Sequence, residues 1–198
     1  MTWRLALFGL ISSLVVGLVY VWTAPMIETA RENARLDALF ALAAPLLKDG
    51  DLGQPTEIRW PDAPPESLGA SSIVTPIVHN DQWLGMVLPV QTNDGYSGPI
   101  KLLMAIDRSG RIVGLRAIEH RETPGLGDRI EVRKSDWMLS FNGLRYTDLA
   151  PADWAVRPDG GQFDSFTGAT ITPRAVVSAV ASALSYLEQQ NPTMEWAP

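Results

Sequence analysis

The sequence predicts an α+β fold, an N-terminal transmembrane helix followed by a mostly antiparallel sheet with packed helices, and three observations carry that expectation. Residues 5–22 contain no charge and only two serines, and about 18–20 such residues suffice to cross a bilayer as one helix. Four runs rich in branched aliphatic residues, 73–78, 82–90, 101–107 and 111–119, are joined in pairs by short polar turns, the pattern of two β-hairpins. Residues 174–189 then set Val176, Val180, Leu184 and Leu187 along one helical stripe.

The first element is flanked by Trp3, Tyr20 and Trp22, where interfacial aromatics belong. A cleaved signal peptide also begins with a basic residue and an apolar run. This run is long for a signal core, and Thr23-Ala24-Pro25 is a poor small-x-small cleavage site, so an uncleaved anchor is expected. Arg4 and the α-amino group precede the span, which predicts a short cytoplasmic N-terminus and an exported remainder. Without Arg4 that remainder holds 15 basic against 22 acidic residues, a net charge of −7. The expected divisions are 1–25 as anchor, 26–72 as an extracytoplasmic helix with a Pro/Gly-rich connection, and 73–198 as the α+β domain.

Residues 26–47 read as helix, with Pro25 suited to a start or a kink and Leu36, Leu39, Phe40, Ala43 and Leu47 as a buried stripe. The Gly, Pro and Asp content of residues 49–72 predicts a surface connection with one short strand around 57–60. His79-Asn80-Asp81 and Arg108-Ser109-Gly110 are the hairpin turns, and helices from both chain ends are available to cover one face of the sheet. Ser135 is expected to cap a short helix. Of the seven tryptophans, Trp83, Trp137 and Trp154 are expected in the core, each needing a partner for its indole N–H.

Composition closes off several functions. A net charge of −6 and a pI near 4.9 leave no electrostatic footprint for nucleic acid. With no cysteine there are no Cys-ligated iron–sulfur clusters, thiol catalysis or disulfides. His79 and His120 are too few for a histidine-rich metal site, and His120 with Glu122 reads as a pair of positioning groups.

The functional candidate is residues 164–173. Thr172 reads as a helix N-cap and Pro173 as the first helical residue. The turn Thr167-Gly168-Ala169-Thr170 lies just before them. Backbone N–H groups at a helix start form an anion site, and glycine permits close approach, so a phosphorylated ligand could sit here with Thr167, Thr170 and nearby Arg174. On composition alone the same residues are a capped turn. The loop Thr123-Pro124-Gly125-Leu126-Gly127 suits backbone packed against a flat ligand, or an ordinary glycine turn. Tyr96 and Gly98 read as structural, shaping a turn near that ligand.

Asp164-x-x-Thr167-Gly168-Ala169-Thr170 resembles the recognition motif of a flavin transferase, which joins FMN to the last threonine, here Thr170, through a phosphodiester. The chain as a whole resembles the G subunit of the Rnf (Rsx) ion-translocating electron-transport complex. Residues 95–100, 120–128, Ser135-Asp136-Trp137 and 163–177 match that family in order. The resemblance implies an FMN-binding domain with covalent FMN on Thr170. Thr167, Gly168, Ala169, Thr123 and Leu126 would be cofactor contacts, and Asp164, Thr167, Gly168 and Ala169 the transferase recognition residues. It further implies an inner-membrane electron carrier without catalytic residues or metal of its own. Its partners would be the transferase, membrane lipid and the other membrane and iron–sulfur subunits, and the complex would couple electron flow between ferredoxin and NAD to ion movement. Two alternatives stand beside it: the C subunit of a sodium-pumping NADH:quinone oxidoreductase, and a cofactor-free assembly or binding module in which Thr167–Thr170 only caps a helix.

Overall fold

Helix α1 runs Thr2–Leu47 in a computed structural model that describes residues 2–47, 51–80 and 82–190. Pro25 lies inside it and does not end it. The proline removes one intrahelical donor, while hydroxyls on either side bond to the backbone, Thr23 to the Val19 carbonyl and Thr29 to the Pro25 carbonyl, both at 2.8 Å. The stretch Ala6–Leu46 contains a window of mean hydropathy 2.0 with none of it buried, long and apolar enough to span a membrane. The chain divides into two compact units, Met1–Asp37 and Ala38–Pro198.

The second unit is built on a sheet of strands β1 (Asp51–Leu52), β2 (Thr56–Arg59), β3 (Ser71–His79), β4 (Gln82–Thr92), β5 (Ile100–Asp107) and β6 (Ile112–Glu119). All pairings are antiparallel, in the order β1-β3-β4-β5-β6, with β2 also pairing with β3. The predicted short strand is β2, and both hairpins form as expected. Asn80 turns the first at φ 47° and Gly110 the second at φ 81°, conformations these two residue types tolerate. Asp81, the last residue of the first turn, lies outside the described residues. Short 3-10 helices fill 127–159, and α2 (Ile171–Gln190) closes the described chain.

Alternation along the strands divides the core in two. Met86, Leu88 and Val90 of β4 and Ile100, Leu102, Met104 and Ile106 of β5 pack with Val176, Val180, Leu184 and Leu187 of α2. Burying each such α2 side chain is worth about 1.5–3 kcal/mol. Val87, Leu103 and Ala105 point the other way and pack with Leu39, Leu42 and Ala43 of α1. The sheet is thus covered on both faces, not one. Runs such as Leu102-Leu103-Met104-Ala105-Ile106 have no polar side to give to water. Glycine makes room for α1: a Cβ on Gly114 would stand 2.7 Å from Leu42 Cδ2.

The α1 stripe also needs correction. Leu36 and Phe40 are 42% and 54% exposed, whereas Leu39, Leu42 and Ala43 are buried. The sheet accepts the stripe at i, i+3, i+4, one residue out of phase with Phe40; the Leu47 side chain lies outside the described residues. Trp137 and Trp154 are core residues and Trp83 is half-buried against the core. Trp60, on which the sequence was silent, is also buried, with its indole donating to Ser72 Oγ at 3.0 Å.

Candidate functional site

Thr170 immediately precedes the first residue of α2, so it occupies the N-cap position, and its carbonyl accepts the Arg174 N–H at 3.2 Å. The helix therefore starts earlier than the Thr172–Pro173 pair predicted. Thr172 lies inside the first turn, fully buried, and its hydroxyl donates to the Glu122 carboxylate. A buried hydroxyl needs a partner, and the carboxylate outcompetes the cap.

The turn before it is built on Gly168 at φ 81°, with the Ala169 N–H bonded to the Phe166 carbonyl at 2.9 Å. Its upstream end is held by Trp137, whose indole donates to the Asp164 carbonyl at 2.8 Å and whose ring meets Phe166 edge-on at 5.1 Å. Ser135 caps the short helix carrying Trp137 by accepting its N–H at 3.1 Å, as its position suggested. Arg129 lies over the Phe166 ring at 5.2 Å.

Thr170 borders a depression of about 260 Å³ lined by Tyr96, Glu122, Thr123, Leu126, Gly127 and residues 168–172. The loop from 122 to 127 is closed by the Leu126 N–H bonding to the Thr123 carbonyl at 3.1 Å, and Gly125 takes φ 78°. A Cβ on Gly168 would lie 3.7 Å from Leu126 Cδ2, so loop and turn are in van der Waals reach. Of the predicted contacts, Thr123, Leu126, Gly168, Ala169 and Thr170 come together here. Thr167 and Asp164 do not. They line a separate open cleft of about 710 Å³ with Arg129, Trp137, Arg157 and Phe163, and Asp164 pairs with Arg157 at 3.1 Å.

Arg174, expected near a ligand at Thr170, is engaged elsewhere in the structure. Its guanidinium grips Asp159 through two bonds, 2.5 and 2.8 Å, which hold that carboxyl below the usual carboxylate range. Beneath the loop, Lys134 donates to Asp128 and to Glu131, each at 2.6 Å. The lysine's hydrogen bond keeps the Asp128 carboxyl below its ordinary value. Burial pushes Glu131 upward, but hydrogen bonds from Arg133 and Lys134 take it below the usual range. His120 lies 3.4 Å from Glu131 and accepts the Glu122 N–H at Nδ1, 3.2 Å. No cluster of three or more metal-ligating side chains occurs among the described residues.

Tyr96, expected to shape a turn nearby, lines the site itself, and Ile171 joins it without having been expected there. They are 67% and 44% exposed, and with Leu126 at 41% they place three large apolar side chains on the rim of one depression. One exposed apolar residue is ordinary; three converging on one hollow mark a surface suited to a ligand. Ile171, an apolar residue between two threonines at a helix start, was the signal available in the sequence.

Residues 95–185 match the family model of the FMN-binding domain, a span that contains every residue lining the depression. Proteins named as the G subunit of an ion-translocating oxidoreductase complex are similar across nearly the whole chain. The one from Pseudomonas aeruginosa (strain UCBPP-PA14) is 42% identical over 186 residues, covering 93% of this chain and 86% of the relative. That of Vibrio cholerae serotype O1 (strain M66-2) is 38% identical over 196 residues, 98% and 92% of the two chains. That of Pasteurella multocida (strain Pm70) is 41% identical over 190 residues, 94% and 92%. At that identity, carried over almost the full length of each relative, the chain belongs to the family of G subunits of ion-translocating (Rnf) oxidoreductase complexes and carries its FMN-binding domain.

Proposed function

We propose that this chain is the membrane-anchored flavin carrier of an Rnf-type complex, with FMN joined through a phosphodiester to the Thr170 hydroxyl. The observation that carries this is the position of Thr170, at the N-cap of a 20-residue helix and on the edge of a hollow rimmed by exposed Tyr96, Leu126 and Ile171. The residues present fit the group. Unpaired N–H groups and the positive end of the helix dipole favour a phosphodiester anion at Thr170. Gly168 keeps side-chain bulk away from it, and the three apolar rim residues offer packing surface to a flat ring.

The hollow, at about 260 Å³, lies below the roughly 300–1,000 Å³ of pockets that enclose a small ligand. A covalent tether compensates for such a shallow enclosure by fixing a high effective concentration. FMN supplies the chemistry when bound, accepting and passing on electrons singly or in pairs. The protein supplies attachment, an apolar face and the helix dipole.

Asp164 and Thr167, which line a separate open cleft, offer a flavin transferase a recognition surface while Thr170 borders its own depression. Residues 1–25 anchor the chain in the inner membrane, with Arg4 cytoplasmic and the rest outside. This placement confines the flavin near the other subunits, to which it relays electrons as the complex moves ions. The test is expression of the exported full chain with a flavin transferase, followed by flavin fluorescence of the denatured band. Wild type should fluoresce and Thr170→Val should be dark; two equally bright bands would exclude Thr170 as the attachment point.

A further inference from the structure

Glu122 is 5% exposed, and its carboxylate sits where three segments lining the depression meet. One oxygen accepts the Ser97 N–H at 3.0 Å, from the loop that carries Tyr96. The other accepts the Thr172 hydroxyl, from the first turn of α2. The carboxylate itself belongs to the loop that carries Thr123 and Leu126. Two glycines make its slot: a Cβ on Gly95 would come within 2.9 Å of Oε1, and one on Gly127 within 2.7 Å of both Oε2 and the Thr172 hydroxyl.

Burying a carboxylate is costly unless its oxygens are well bonded. Here both bonds come from neutral groups, which is a poor way to stabilise a fold and an effective way to fix three segments at one point. We propose that Glu122 is a positioning residue that clasps the start of α2 to both loops of the depression, through Thr172 and the Ser97 amide. It thereby sets where the Thr170 hydroxyl stands against Thr123, Leu126 and Tyr96. This rests on the reading of Thr170 as the flavin attachment point, two residues before Thr172.

The experiment uses the full chain, exported and matured by a flavin transferase, in five forms: wild type, Glu122→Ala, Glu122→Gln, Thr172→Val and Thr172→Ser. Bound flavin per folded molecule is read by absorbance, and amide exchange at Ser97 and Arg174 is measured on flavin-free protein. The clasp predicts at least tenfold slower attachment per folded molecule in Glu122→Ala and Thr172→Val. In both, exchange should quicken at those two amides but not along β5. Glu122→Gln, which keeps an acceptor and a donor, and Thr172→Ser, which keeps the hydroxyl, should remain within about twofold of wild type on the usual sensitivity of a neutral hydrogen bond. Thr172→Val and Thr172→Ser keep the test valid if Glu122→Ala does not fold. Wild-type attachment rates, or exchange that rises evenly through the sheet, would overturn the clasp. A flavin-free wild type would overturn the Thr170 reading alone, with the exchange data still deciding the clasp.

Discussion

The Trp137 indole N–H donates to the Asp164 carbonyl at 2.8 Å, tying the first residue of the Asp164–Thr170 motif to the core through one side chain. The same ring packs against Phe141 and Phe166 at 5.3 and 5.1 Å. Trp137→Phe keeps the ring contacts and loses the bond, so it should cost about 1 kcal/mol, whereas Trp137→Ala should cost about 3–5 kcal/mol. Urea midpoints of the detergent-solubilised full chain check both. A Trp137→Phe midpoint equal to wild type would mean that the hydrogen bond contributes nothing.

Two glycines near Thr170 should behave differently. Gly168→Ala would put its methyl in ordinary van der Waals contact with Leu126 Cδ2, 3.7 Å away, but must hold φ 81°, a strain of roughly 1–2 kcal/mol. Gly127→Ala would drive a methyl against the Glu122 carboxylate and the Thr172 hydroxyl, and overpacking of that kind costs about 1–3 kcal/mol with displacement of its neighbours. Gly127→Ala should therefore impair flavin attachment more than Gly168→Ala at matched stability, measured as bound flavin per folded molecule.

Acid and base should erode the Asp128–Lys134 pair from opposite ends. Hydrogen bonding to Lys134 depresses the Asp128 carboxyl from 3.8, so its stabilising effect is complete above that pH and is lost as pH falls through the lower folded value. Lys134 is raised from 10.5 by its bonds to Asp128 and Glu131; its effect is complete below 10.5 and is lost as pH climbs through the raised value. Denaturation midpoints of wild type and Asp128→Asn should differ by a constant amount between these limits and converge once the pH has fallen below the depressed Asp128 value. A gap that persists in acid would show that the aspartate acts through shape alone.

Arg174 supplies a control. Its guanidinium is committed to Asp159, and both side chains are partly exposed, at 48% and 35%. Arg174→Ala should cost no more than about 1 kcal/mol and leave flavin attachment at the wild-type level. A loss of attachment would return this arginine to the phosphate site that its place in the sequence suggested.

Most of the sheet and α2 were legible because their apolar spacing has a period of two or of 3.6 residues. The second covered face was legible in principle, since Met86-Val87-Leu88 and Leu102–Ile106 leave no polar side for water. Gly168 and Thr170 stood out through the motif resemblance, since local turn chemistry alone fitted a capped turn equally. Ile171 did not, and although Glu122 read as a positioning group and Tyr96 as part of a nearby turn, their meeting at one hollow was not legible, because the three lie far apart in sequence and only the sheet brings their segments together. Thr172 was misjudged for a related reason: local chemistry favoured a cap, and a carboxylate 50 residues away claimed its hydroxyl.

Tandem mass spectrometry of peptides from the matured full chain tests the central claim most directly. The account predicts a peptide containing residues 164–174 heavier by one FMN less one water, with fragment ions placing the added mass on Thr170 and none on Thr167. An unmodified peptide from a chain matured beside a labelled control acceptor, or the mass on Thr167, would contradict it.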